Sequence, residues 1–174
     1  IGGIETVRMF SGENENEYEY ECIAIDSEGI KKYKDFGKED DDVYTIYNPP
    51  KLIFPNIEVG KIKEYLKVWT DYGISGDKRE KGTKARQIKL ESVENIEIPA
   101  GRFADCLRFS VIYNEDDGKT NNDCTIWLAS GVGEVKEFCI STEYYTETKK
   151  EESFIKIIEL VSAVIDGKKI GSQE

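Results

Sequence analysis

From residue 13 to residue 22 the chain reads Glu-Asn-Glu-Asn-Glu-Tyr-Glu-Tyr-Glu-Cys. Glu holds every odd position, and Tyr18, Tyr20 and Cys22 hold even ones. A period of two is the signature of an extended strand, so this segment predicts a strand with one carboxylate face. Ser27-Glu28-Gly29 then breaks the pattern, and Ile30 to Phe36 reads as the hairpin partner. Lys38 to Asp42 is a charged loop, followed by a short strand at 43–47. Pro49, Pro50 and Pro55 cannot donate ladder hydrogen bonds, which predicts an extended crossing segment over 49–61.

The same punctuation continues to the end. Residues 62–72 alternate, with Leu66 and Val68 on one side and Lys63, Lys67 and Trp69 on the other; the Gly-rich basic stretch 72–83 predicts a turn. Residues 84–98 suit two strand pieces or one bulged strand, closed by Pro99-Ala100-Gly101. Asp116-Asp117-Gly118 joins strands at 106–113 and 120–128 into a hairpin, and Gly131-Val132-Gly133 is a further turn before strands at about 134–140 and 142–148. Phe154 to Ile165 fits either a helical face or, with its β-branched residues, a strand buried on both faces; the strand is preferred. The expectation is one mainly β domain over 1–174, with about nine strands in a strongly curved antiparallel sheet or incomplete β-barrel. Within it, 1–48 is an N-terminal hairpin region, 49–61 the proline-rich crossing and 62–165 the main sheet.

Several chemistries lack their residues. The chain has no histidine, which removes Ser-His-Asp and Cys-His catalysis, histidine-ligated metals and the usual neutral-pH base. Ser130 lacks the preceding glycine of a nucleophile elbow, and Gly131-x-Gly133 precedes a strand rather than a helix, so both read as turn chemistry. The acidic runs 40–42 and 114–117 lack the ligand spacing of a calcium loop. No catalytic residue is assigned and no cofactor is expected. A carboxylate-dependent hydrolase is the remote enzymatic alternative, for which two close, buried carboxylates would speak.

A net charge of -11 opposes binding to nucleic acid, whose affinity comes from displacing counterions with Lys and Arg. Residues 13–42 carry twelve acids against four bases and residues 61–89 nine bases against four acids, which fits complementary strand faces or a partner patch. The cluster Lys78, Arg79, Lys81, Lys84 and Arg86 reads as an exposed hairpin tip, with anionic headgroups the alternative. Trp69 and Trp127 are weak candidates for a binding cavity; the plainer assignment is core packing. No run is long and apolar enough for a membrane span, so an integral membrane protein is not expected. The chain opens on Ile1 rather than Met, which fits a processed protein that has lost an export signal or lipid-bearing cysteine.

Cys22, Cys106, Cys124 and Cys139 contain no C-x-x-C pair, so no metal site is expected, and they suit buried thiols or one or two disulfides. A hairpin centred on Asp116 and Asp117 places Cys106 opposite Trp127 and Cys124 opposite Phe109. That offset predicts no Cys106 to Cys124 bond, so any bridge must reach Cys22 or Cys139.

Two segments, Val93 to Arg108 with Pro99-Ala-Gly-Arg-Phe-Ala-Asp-Cys-Leu107, and Trp127 to Lys136 with Gly131-Val-Gly-Glu-Val-Lys136, carry a resemblance, supported by Pro50 to Pro55 and Val59-Gly60-Lys61. They resemble a broad group of uncharacterised bacterial exported proteins and lipoproteins with P-A-G-x-F-x-D-C-L and G-V-G-x-V-K motifs. The resemblance covers about residues 49 to 136. It implies a fold similar to periplasmic lipoprotein carriers and outer-membrane lipoprotein receptors, whose concave sheet face holds acyl chains. The expected function is a non-enzymatic exported binding protein for a lipid or other apolar molecule, extracytoplasmic and periplasmic or envelope-associated, with a lipid anchor upstream of Ile1 as an option. The alternative is an interaction module with a filled core that meets a protein partner through its acidic face or an exposed strand edge.

Overall fold

A computed structural model describes residues 7–11, 19–37, 43–73, 75–115, 119–165 and 167–171. Ten strands follow one another in one antiparallel sheet in sequence order: β1 (Val7–Ser11), β2 (Glu19–Asp26), β3 (Gly29–Gly37), β4 (Val43–Pro55), β5 (Ile62–Gly73), β6 (Lys78–Ile98), β7 (Gly101–Glu115), β8 (Thr120–Ala129), β9 (Gly133–Tyr145) and β10 (Lys150–Glu159). β11 (Ser162–Ile165) and β12 (Lys168–Gly171) form a separate hairpin. The mainly β class holds, and β1 and β10 end the strand order, so the sheet is open. The chain divides into two compact units, 1–56 with 65–85, and 57–64 with 86–174.

In the first unit, the Glu-rich run is described only from Glu19 onward, and the Lys38 to Asp42 loop lies outside the described residues. β2 and β3 join through Ser27-Glu28, with Asp26 opposite Gly29. The Asp26 carboxylate accepts the Glu28 N–H at 2.8 Å and meets Lys31 Nζ at 2.9 Å. Tyr20, Phe36, Tyr44 and Tyr72 sit opposite one another in turn across β2 to β5, with stacked rings at 5.4 Å for the first pair and 5.3 Å for the last. Lys34 lies 4.1 Å from the Tyr44 ring. The prolines do not form a separate crossing: β4 runs through them to Pro55. Pro49 and Pro50 fall between Ile46 and Lys51, where the pairing with β3 is interrupted, so the missing N–H donors cost no regular ladder bond. The basic residues from Lys78 likewise begin β6 rather than populate a turn.

The part of β6 from Arg86 onward belongs to the second unit and is continuous, bulged against β7 between Leu90 and Ser92 and between Glu94 and Ile96. Asn95, set off in the second bulge, accepts the Asp105 N–H at 3.0 Å, while Asp105 adopts φ 52°. Ile98, Ala100, Cys106, Ala129 and Val135 form a buried cluster, with Phe103, Trp127 and Leu160 packed on it. Leu160 is tied in on both sides: its carbonyl accepts from Ala100 at 3.0 Å, and its N–H donates to Val135 at 2.9 Å.

Two expectations need correcting here. The β7–β8 hairpin is present, although its Asp116-Asp117-Gly118 tip lies outside the described residues. Its register puts Phe109 opposite Ile126, Arg108 opposite Trp127 and Val111 opposite Cys124, two residues away from the expected pairing, because the turn is centred one residue later, with Glu115 opposite Thr120. The final apolar run is extended, as preferred over a helix, but it is divided between β10, which ends at Glu159, and β11 (Ser162–Ile165) of the separate hairpin, so it is not one closing strand of the main sheet, and it is not buried on both faces. β10 lies at the end of the sheet, pairs only with β9 among the described residues, and is exposed from Lys150 to Ile158.

Gly29 shows why the first hairpin needs glycine. Its φ is +133°, and an added Cβ would run into the Phe54 carbonyl and come within 2.8 Å of Pro55 Cα. Gly60 has φ +83° with nothing within 4 Å of such a Cβ. Gly29→Ala is expected to lower the unfolding free energy by about 3 kcal/mol and Gly60→Ala by about 1 kcal/mol in urea titrations. Equal losses would show that the close β3–β4 approach is absent.

Candidate functional site

Trp69 belongs to the first unit and Trp127 to the second, and each is occupied by its own neighbours. Trp69 is opposite Tyr47 on β4, and its ring lies against the Gly82 backbone on β6, where any side chain would overlap the indole. Lys84 approaches the Trp69 ring at 5.9 Å and Lys67 the Tyr47 ring at 5.1 Å. The Trp69 indole N–H is buried without a hydrogen-bond partner among the described residues. Trp127 packs on the Ile98 cluster, donates its indole N–H to Glu94 Oε1 at 2.8 Å, and has Lys136 5.6 Å from its ring. Arg108 adds a 3.5 Å contact to Glu94 Oε2.

Two carboxylates of the first unit meet a buried lysine. Lys32 pairs with Glu21 and lies 3.3 Å from Asp35, whose Oδ2 accepts the Tyr47 hydroxyl proton at 2.6 Å. Burial, with Asp35 adding to it, pushes the Tyr47 phenol far up, so it acts as a fixed donor. The Glu21 and Asp35 side chains remain 42% and 28% exposed with an ammonium between them, which makes this an ion-pair network rather than a buried acid–base pair.

The cysteines give the clearest local arrangement. Cys124 on β8 and Cys139 on β9 are directly opposite and disulfide-bonded, with Cα atoms 4.0 Å apart. Cys22 and Cys106 are buried free thiols; burial raises the Cys106 thiol pKa and keeps it protonated and unreactive. Glu137, two residues before Cys139 and therefore on the same face, brings a carboxylate to the pair, and the three ligand atoms lie within 4.8 Å of one another. Lys156, opposite Cys139 on β10, meets Glu137 Oε2 at 2.9 Å. Spacing along the chain does not bring these three residues together; they meet only across the β8–β9 hairpin. Parity on β9 was the available signal for Glu137.

A second feature is an apolar surface along β10. Tyr144 donates its N–H to the Lys119 carbonyl on the β8 side, so by alternation the Cys139 backbone groups point away from β8 and toward β10, where Lys156 is opposite. By alternation, Ile155 and Ile157 direct their N–H and C=O groups to the open edge. Their side chains continue rows across the sheet, Ile112, Asp123, Ile140 and Ile155 in one and Ser110, Thr125, Phe138 and Ile157 in the next. Ile155 and Ile157 are 67% and 60% exposed, and Phe154 and Ile158 are exposed on the other face. A cavity of about 400 Å³ opens near the β7–β8 and β9–β10 turns, but Lys119, Thr120, Glu143 and residues 144–148 line it with hydroxyl and charged groups.

The chain matches no family model, no curated protein and no solved structure. Among the described residues no helix is long and apolar enough to cross a membrane.

The Trp127 contact has a pH signature. The indole hydrogen bond, helped by Ser92 and Arg108, holds Glu94 below the ordinary 4.5 of a glutamate. A lowered folded value means that the stabilisation is in place above pH 4.5 and is lost as pH falls through that lower value. In a Trp69→Phe background, Trp127 fluorescence should titrate with a midpoint below 4.5, and Glu94→Gln should remove that transition. A midpoint at or above 4.5 would contradict the assignment.

Proposed function

We propose that this chain is a non-enzymatic, exported interaction protein that binds an extended apolar segment of a partner protein along β10. The observation that carries the reading is the combination on one strand of backbone groups that no strand pairs among the described residues and exposed Ile155 and Ile157. An open strand edge offers main-chain hydrogen bonds to an added strand, and alternate side chains give the added strand something to pack on. Natural sheets usually blunt such an edge, and here Lys156 is the only charge between Ser153 and Ile158. Buried Ile88, Phe109 and Val111 support a filled core over an internal lipid cavity. The cross-strand disulfide supports an oxidising compartment, and the motif resemblance to exported bacterial proteins points the same way.

Ile140 and Phe138, the apolar neighbours of Ile155 and Ile157 on β9, favour one second reading, a lipid or acyl chain lying on that face. A photocrosslinking residue placed at 157 in the native host distinguishes the two, with Ile25, an exposed apolar position of the first unit, as the control. The protein reading predicts a discrete crosslinked polypeptide at 157, absent at 25 and lost in an Ile155→Pro variant, which removes an edge donor while leaving the β9 pairing. Crosslinked lipid that persists in Ile155→Pro would transfer the function to the second reading. Identical patterns at 157 and 25 would contradict both.

A further inference from the structure

A disulfide has no charge and no strong donor to offer a carboxylate, yet Glu137 is held against one. Its side chain is only 13% exposed, and its neighbours across the ladder are Ile126 on β8 and Ile158 on β10. Lys156, a half-exposed side chain on β10, meets only one of the two Glu137 carboxylate oxygens. The arrangement makes chemical sense for the reduced pair. Two thiolates and a carboxylate are a ligand set for a borderline-soft cation, and the three atoms already lie within 4.8 Å of one another.

We propose that Cys124, Cys139 and Glu137, once the disulfide is reduced, form a three-ligand site for a divalent cation of the zinc class, and that the disulfide closes this site. Opening it takes two electrons and two protons, supplied by a dithiol that itself becomes a disulfide or by a phosphine with water that leaves as phosphine oxide, and yields two thiols. Cation binding then releases the two thiol protons. Metal–sulfur bonds of about 2.3 Å in a tetrahedron put the sulfurs about 3.8 Å apart. Non-bonded sulfurs on directly opposed residues reach that separation through side-chain rotation alone. Lys156 takes one Glu137 oxygen and leaves the other for the cation. Its charge also balances the site: two thiolates, one carboxylate and a divalent cation sum to minus one, and the ammonium brings the total to zero. The fourth coordination position is left for water.

The probe is Co²⁺ added to phosphine-reduced, metal-free protein, read by thiolate-to-cobalt charge-transfer absorption and displaced by Zn²⁺. One cation per chain is expected. The band should vanish in Cys139→Ala, persist in the Cys22→Ala/Cys106→Ala double variant, and require about tenfold more metal in Glu137→Gln. A folded, reduced protein without the band, or a band that survives Cys139→Ala, would overturn the proposal. Where circular dichroism shows that reduction unfolds the chain, Zn²⁺ should restore strand signal in a concentration-dependent way, because binding to the folded state alone stabilises it. Failure of Zn²⁺ to do so in the double variant would overturn it equally.

Discussion

The second unit depends on one row of the ladder: Ile88 on β6, Val111 on β7, Cys124 on β8 and Cys139 on β9, each directly opposite the next. All four are almost fully buried, with exposures of 0%, 0%, 1% and 3%. A slip of one residue anywhere in that row would turn a whole strand's apolar set to the other face, so burial enforces the register. The consequences spread outward from it. Ile112 and Ile140 face away because Val111 and Cys139 face in, and Glu137 meets the sulfurs because it lies two residues from Cys139.

β10 extends the same register to Lys156 without inheriting its burial. The strand is held by its pairing with β9 and by Leu160, which anchors the chain into the Ile98 cluster immediately after the strand ends. An edge strand so fixed at its end, yet apolar on both faces, is poorly protected against adding another strand. The binding proposal follows from this exposure, whereas the cation proposal concerns the opposite face and the row beneath it. Both rest on the β8–β9 register.

Much of the fold was legible because alternation and turn residues are local signals. The Ser27-Glu28-Gly29 hairpin, the turn at Gly131 to Gly133 and the bulged 84–98 segment all follow from residues that touch near neighbours. The prolines misled for a physical reason: a bulge accommodates a missing donor as well as a crossing segment does, and sequence does not distinguish them. The burial of β10 was misjudged because β-branched residues report that a segment is extended, not whether anything covers it. Of the site, Trp127 and Trp69 were visible as large apolar groups, but their engagement by Glu94 and Gly82 depends on partners 33 and 13 positions away. The cysteine pairing needed the β8–β9 register, which a short turn makes accessible only once its centre is known.

Disulfide mapping of the natively oxidised protein tests that register most directly. Digestion under non-reducing conditions, followed by mass analysis, should recover Cys124 joined to Cys139, with Cys22 and Cys106 as free thiols. A bond from Cys106 to either Cys124 or Cys139, or four free thiols after exposure to a mild oxidant, would contradict the arrangement on which the second unit is built.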